Sequence, residues 1–224
     1  VFLAADDGNK VIYSLDGMTW MRASVAANLS VAFAYGHGGN FLLASADVTQ
    51  NYFKSSDIID WSSASIVNPH TTVKILSWRG SFYLICSDGS IYCVPGDLSG
   101  AIFSLRTGSM PLVSATQGAG TIVAVSSDGR ITYSSDQGVT WTDVSIPGSP
   151  VFSSVAWGAG VFVAAGSGQL FGSFDGATWQ SIGTTENASM KMIYAIDKFI
   201  GVLSSGTNRL VVGVVPGSVE WRFV

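Results

Sequence analysis

The stretch Ser134-Ser135-Asp136-Gln137-Gly138-Val139-Thr140-Trp141 decides how this chain is read, because it recurs. Ser14-Leu15-Asp16-Gly17-Met18-Thr19-Trp20 and Ser55-Ser56-Asp57-Ile58-Ile59-Asp60-Trp61 precede it, and Ser173-Phe174-Asp175-Gly176-Ala177-Thr178-Trp179 follows. A weaker copy, Asp97-Leu98-Ser99-Gly100-Ala101-Ile102-Phe103, fills the gap between the second and third. The aspartates at 16, 57, 97, 136 and 175 are separated by 41, 40, 39 and 39 residues. A sixth copy ends in Trp221, 42 residues after Trp179, and lacks the aspartate. Near-constant spacing of this kind marks a repeat architecture, in which each unit buries its apolar face against its neighbours.

Between the motifs each unit has the same grammar. An apolar run ends at an aromatic and a Gly-rich turn, as in Val155-Ala156-Trp157-Gly158-Ala159-Gly160. A second run follows (Phe162-Val163-Ala164-Ala165), then a Ser/Gly/Asp turn, a third segment into the aspartate motif, and a fourth that begins at its Trp. Short runs rich in Val, Ile, Phe and Tyr between turn residues are strands. No segment combines a helical cap with a long 3.6-period apolar face. Four strands per ~40 residues is the unit of a propeller blade. The spacing therefore predicts an all-β chain, a β-propeller of about six four-stranded blades. It forms one domain over 1–224, with blades near 25–66, 67–107, 108–147, 148–183 and 184–224. Residues 1–24 supply a partial blade of three strands that lacks its inner strand. An upstream stretch of a longer polypeptide, or another chain, is expected to supply it, since an open strand edge invites aggregation; otherwise that blade stays three-stranded.

The Ser-x-Asp-(x)-Gly-x-Thr-Trp motif resembles the Asp-box (BNR) repeat of sialidases, sortilin-type receptors and related propellers. The resemblance covers essentially the whole chain and is closest at 14–20, 134–141 and 173–179. It implies a β-turn between the third and fourth strands of each blade. There the aspartate accepts backbone N–H bonds and the aromatic packs between blades. Asp16, Asp57, Asp136 and Asp175, with Trp20, Trp61, Trp141 and Trp179, are then structural residues. Turn chemistry points the same way, because Asp bonds its own downstream backbone and Gly takes positive φ. The Trp-Gly-x-Gly-x-Phe-Val-Ala style also resembles propellers of bacteriophage tail and fibre proteins, which present loops to a host receptor or build the tail.

Composition narrows the function classes. Charged residues are 12 % of the chain against 47 % apolar, about half the usual charged share. The net charge of −4, with basic residues scattered, argues against nucleic acid, which needs clustered Lys and Arg on phosphates. Residues 144–174 carry no charge, but Pro147, Gly148, Pro150, Gly158, Gly160, Gly166 and Gly168 interrupt them. Membrane insertion is not expected, because a spanning helix needs ~20 apolar residues in a row. The start at Val1, without Met or a leader-like segment, reads as a piece of a longer or processed polypeptide. Cys86 and Cys93 flank Ser87-Asp88-Gly89-Ser90. A two-residue Asp88-Gly89 turn would set Cys86 opposite Ile91 and Cys93 opposite Leu84, as two free thiols rather than a bridge or metal site. No metal and no cofactor is expected.

Catalytic constellations are thin. The sialidase chemistry that the resemblance brings to mind needs an arginine triad, a Tyr nucleophile with its Glu, and an acid Asp. Arg22, Arg79, Arg106, Arg130, Arg209 and Arg222 lack the Arg-Ile-Pro context of that triad, and Glu186 and Glu220 are the chain's glutamates. General glycoside hydrolysis needs two carboxylates across a cleft. Asp7-Gly8, Asp88-Gly89 and Asp128-Gly129 are explained as one recurring hairpin turn. His37 is read in an exposed turn, Gly36–Gly39, and His70 in a loop after Asn68-Pro69. Neither nucleophile-elbow, P-loop nor zinc-protease motifs occur. The chain is expected not to be an enzyme.

Binding is left to the loops. Links between blades and the turns joining second to third strands depart most from the repeat, which is where function concentrates. Gln50, Asn68, His70, Arg106 and Arg130 are the candidates there, against the plainer reading as solvated loop residues. At the opposite blade ends stand Tyr35, Trp78, Trp157 and Tyr194, with Gln117 in the remaining copy. Trp78 and Trp157 are candidates for stacking on sugar rings, against the plainer reading that they pack on the motif tryptophans. Asn28-Leu29-Ser30 and Asn187-Ala188-Ser189 fit the glycosylation pattern, which matters only in a eukaryotic secretory protein. The expected function is a non-enzymatic binding or structural propeller, in a virion (phage tail or fibre) or an extracellular adhesion module. Its partner is a host-surface receptor or another protein of its assembly, with oligomeric state set through the parent chain. The alternative is a carbohydrate-binding, lectin-like or glycan-active propeller. An assembly factor like those of photosystems would need a basic patch or partner groove that the sequence does not display.

Overall fold

The computed structural model describes residues 2–5, 11–23, 31–45, 51–65, 71–99, 102–185, 189–205, 210–214 and 220–223. Every regular element among them is a strand, and consecutive strands pair as antiparallel meanders. The chain divides into two compact units, Val1–Ser109 and Met110–Val224. The first unit opens with a three-stranded sheet of β1 (Phe2–Ala5), β2 (Val11–Ser14) and β3 (Met21–Arg22). A second blade follows: β4 (Val31–His37), β5 (Asn40–Ser45), β6 (Asn51–Ser55) and β7 (Ser62–Ser65). The third is β8 (Thr72–Trp78), β9 (Ser81–Cys86), β10 (Ile91–Pro95) and β11 (Phe103–Arg106). In the second unit the fourth blade is β12 (Leu112–Gly118), β13 (Thr121–Ser126), β14 (Arg130–Ser134) and β15 (Thr142–Ser145). The fifth is β16 (Phe152–Gly158), β17 (Val161–Gly166), β18 (Gln169–Ser173) and β19 (Gln180–Thr184). The sixth is β20 (Met190–Ala195), β21 (Lys198–Leu203), β22 (Leu210–Val214) and β23 (Glu220–Phe223).

Within each unit the core lies between successive blades. Val11, Tyr13 and Ala23 of the first sheet meet Leu43, Phe53, Ile58 and Trp61 of the second. Leu42, Ala44 and Tyr52 of the second meet Ile75, Phe82, Leu84 and Tyr92 of the third. Val123, Val125 and Ile131 pack on Phe152, Phe162 and Phe171, and Val163 and Leu170 pack on Met192 and Phe199. A strand packed on both faces has no polar side. That is why β13 and β17 are buried at every position and read as unbroken apolar runs rather than alternating ones. The fourth strands β15 and β19 are largely exposed, and their Thr, Asp, Ser and Gln residues face water.

Two devices join the first strands of neighbouring blades. A bulge near the start of β4, β8, β12 and β16 shifts the register by one residue. Serines beside it then satisfy amides on the next blade, which backbone pairing does not reach. Ser114 Oγ accepts from the Val155 amide at 3.3 Å, Ser153 Oγ from Met190 and Ser154 Oγ from Met192, both at 3.0 Å. At the other end an aromatic ring lies on a glycine. A Cβ at Gly118 would stand 2.0 Å from the Trp157 ring, and one at Gly158 would stand 2.0 Å from that of Tyr194.

Two local expectations are corrected. Cys86 lies opposite Ser90, with its amide donating to the Ser90 carbonyl at 2.9 Å, and Ile91 pairs with Ile85 and Cys93 with Tyr83. The loop holds Ser87, Asp88 and Gly89 rather than Asp88 and Gly89 alone. The Asp88 carboxylate takes the Ser90 amide at 3.0 Å, and Gly89 adopts φ 98°, which builds a tight turn followed by a left-handed glycine. The one-residue slip sends the two thiols to opposite faces of the sheet. Both are free, and burial pushes Cys86 up to about 12. His37, read in a turn, ends β4 and pairs with Asn40, and the turn itself is Gly38-Gly39.

Gly158→Ala is expected to cost about 1–3 kcal/mol in urea unfolding, because the methyl group must displace the Tyr194 ring. Gly160→Ala, with nothing within 4 Å of the new Cβ but φ +78°, should cost about 1–2 kcal/mol, from backbone strain alone.

Candidate functional site

The aspartate turns are built alike. In the fifth blade the buried Ser173 hydroxyl donates to Asp175 Oδ1 at 3.0 Å and accepts the Gly176 amide at 2.8 Å. Asp175 Oδ1 also accepts the amides of Ala177 and Thr178, each at 2.8 Å. The Trp179 indole closes the turn by donating to the Gly176 carbonyl at 2.9 Å. Ser14 and Asp16, Ser55 and Asp57, and Ser134 and Asp136 repeat the pattern, and Trp61 and Trp141 repeat the indole bond. Amides are weak acids that favour the ionised carboxylate. The Thr19 and Met18 amides, with the Ser14 hydroxyl, lower Asp16 from the ordinary 3.8 to about 2. The Asp60 and Ile59 amides lower Asp57, the Thr140 hydroxyl and amide lower Asp136, and the Thr178 amide lowers Asp175. Each carboxylate is committed to its own turn as an acceptor.

The residues singled out as binding candidates are not gathered at one place. Gln50, Asn68 and His70 lie outside the described residues. Arg106 is half-buried at the end of β11, opposite Ile91, while Trp78 stands at the far end of the same blade. Trp78 carries the Arg79 guanidinium 4.7 Å from its ring centre and tilts on Tyr83 at 6.1 Å. Arg130 opens β14, where its guanidinium pairs with Asp128 in the same hairpin. Trp157 rests on Gly118 and lies 4.3 Å from Phe162, which in turn lies 6.4 Å from Trp179. Trp157 is thus half-buried against the preceding blade, and Trp78 is half-buried on residues of its own blade.

A different place offers an open site. Between the second and third blades a cleft of about 370 Å³ is walled by Asn40, Lys54, Ser56, Asp60, Trp61, Ser62, Asp97 and Leu98. Asn40 Nδ2 donates across it to the Gly96 carbonyl at 2.8 Å, and Lys54 Nζ donates to the Leu98 carbonyl at 2.9 Å. Leu98 takes φ 59°, which turns its carbonyl-bearing segment toward the second blade. Asp97 Oδ1 accepts the Ser99 amide at 3.0 Å, and Ser99 holds the Asp97 carboxyl below its ordinary range. Sequence reasoning missed this cleft. The available signal was departure from the repeat, since Asp60 stands where the other turns have Thr19, Thr140 and Thr178. Among the described residues no three His, Cys, Asp or Glu side chains converge as metal ligands.

No protein-family model matches the sequence, and no curated protein matches it. Solved structures do resemble it. Virginiamycin B lyase from Staphylococcus aureus is similar with a TM-score of 0.78 at 13 % identity, over 99 % of this chain and 83 % of that one. YCF48 from Cyanidioschyzon merolae gives 0.71 at 14 % identity over 96 % and 78 %, and a YCF48 structure bound to D1 peptide gives 0.74 at 15 % over 99 % and 76 %. Sqt1 from Saccharomyces cerevisiae gives 0.74 at 13 % identity over 99 % and 69 %. The fold is that of a β-propeller, all-β, whose first sheet has three strands among the described residues.

Ser173→Ala is expected to lower unfolding stability by about 1–3 kcal/mol, because it leaves the buried Gly176 amide without its acceptor. The aspartates add stability that is complete above the ordinary value of 3.8 and lost as pH falls toward about 2 at Asp16. Melting temperature followed from pH 5 downward should therefore drop steeply below about pH 4, and Asp16→Asn should flatten part of that drop.

Proposed function

We propose that this chain is a non-enzymatic binding propeller, a module of a virion tail or fibre or of an extracellular adhesion protein. The observation that carries the reading is the commitment of the repeated carboxylates. Asp16, Asp57, Asp136 and Asp175 each accept bonds within their own turn and are held ionised, so none is poised as a general acid at neutral pH. The repeat's resemblance to the Asp-box agrees with that structural role. The low-charge, Ser/Gly-rich sequence and its phage-propeller style support a virion or extracellular setting.

Partners in this reading are a host-surface receptor or another protein of the same assembly. Among the structural neighbours, YCF48 has been seen with a D1 peptide, and another belongs to a mitotic checkpoint complex, which shows that propellers of this build serve protein recognition. Virginiamycin B lyase shows that the fold also carries catalysis, so function rests on the site rather than the fold.

Host-cell and glycan-array binding by the chain, beside an inert propeller of similar size, tests the reading. Saturable binding above that control, with no turnover of bound material, is expected. Binding equal to the control together with hydrolysis or elimination of any substrate would contradict it.

A further inference from the structure

We propose that the cleft between the second and third blades is a carbohydrate site, taking one neutral pyranose unit of a surface glycan. The proposal rests on the reading of the chain as a binding module and names the ligand class of one site in it. The cleft's volume of about 370 Å³ lies at the lower end of the ~300–1,000 Å³ typical of small-ligand sites.

The first argument is that this is where the repeat is broken at a cost to the fold. In the fourth blade the Thr140 hydroxyl donates to Asp136 Oδ2 at 2.6 Å and tightens the turn. Asp60 occupies that position in the second blade, cannot donate when ionised, and adds a second negative charge beside Asp57. Lys54 sits where Tyr13, Val94, Tyr133 and Gly172 stand in other blades, and Asn40 where Ser81, Thr121, Val161 and Lys198 stand. Asp60 departs from the repeat at a cost to its own turn, and it lines the same cleft as Lys54 and Asn40, whose side chains bridge to the next blade.

The second argument is that the polar groups are fixed beforehand. Lys54 and Asn40 each spend one N–H on a carbonyl of the neighbouring blade. An ammonium has three donors and a carboxamide has two plus an acceptor, so both cleft-lining residues keep hydrogen-bonding capacity beyond these bonds. Their rotamers are already restricted, which lowers the ordering cost of binding.

The third argument is the match of chemistry. The Asp60 and Asp97 carboxylates accept, Lys54 donates, and Asn40 does both, beside the apolar edges of Trp61 and Leu98. A sugar hydroxyl donates and accepts at once, and a pyranose also offers apolar C–H groups to the apolar part of the wall at Trp61 and Leu98. Two carboxylates disfavour an acidic sugar, while the Lys54 ammonium in the same lining disfavours a divalent cation.

The test is titration of the intact chain with methyl α- and β-pyranosides of glucose, galactose, mannose and N-acetylglucosamine, followed by amide and indole NMR shifts. Calcium and an arginine-bearing peptide serve as competing probes. Asp60→Thr restores the residue of the other turns and should raise the melting temperature, so loss of binding in it is not loss of fold. A saturable response centred on Asn40, Lys54 and Trp61 is expected for at least one pyranoside, weakened about tenfold in Asp60→Thr and in Lys54→Ala. No saturable pyranoside response, an equal response in both variants, or a response to calcium or the peptide alone would overturn the proposal. Host-surface binding is measured in parallel. If it persists while pyranosides fail, the carbohydrate site is wrong and the binding-module reading stands. If pyranosides bind while surface binding fails, the carbohydrate site stands and the host-surface partner is wrong.

Discussion

The rest of the structure depends on a carboxylate that accepts the N–H groups of its own turn. Where the third strand of a blade reverses into the fourth, the chain leaves several amides without sheet partners. One aspartate oxygen takes two of them, and a buried serine hydroxyl links that oxygen to a further amide, as at Ser14, Asp16 and Gly17. The geometry places the motif tryptophan so that its indole donates back into the turn and its rings fall among neighbouring side chains, as Trp61 does with Val11 and Tyr13. A hydrogen-bonded turn of a few residues thus sets the edge on which the next blade packs. Because the carboxylates are used in this way, Asp16, Asp57, Asp136 and Asp175 are acceptors within their turns rather than members of an acid–base pair.

The cleft follows from relaxing the same rule. The third blade has Pro95 where the other turns have the buried serine, and its turn carries Leu98 at positive φ. Its Gly96 and Leu98 carbonyls are left facing the second blade, where Asn40 and Lys54 take them. The same contacts that hold the two blades together therefore hold the polar wall of the opening, and a weakened repeat becomes a shaped site.

Much of the fold was legible because the repeat is local in sequence. Spacing of the aspartates located the blades, and unbroken apolar runs such as Phe162–Ala165 located the strands packed on both faces. Register was less legible. A two-residue and a three-residue loop around Asp88-Gly89 differ by one position, and only the bond between Cys86 and Ser90 tells them apart. The aromatic positions were visible, but their fate was not, since Gly118 and Gly158 gain meaning only when the next blade's ring lies on them. The cleft was least legible. Lys54 and Asn40 find their partners 44 and 56 residues away, on backbone carbonyls that no side-chain motif announces. Asp60 alone was open to inspection, as a carboxylate in a threonine's place.

The most direct measurement of the central claim is the titration of the individual aspartate carboxyl carbons by NMR. The account predicts that Asp16 titrates near 2 and that Asp57, Asp136 and Asp175 all titrate below the ordinary 3.8. Values at or above 3.8 for these residues would contradict it, because the carboxylates would then be free of their turns and available for other chemistry.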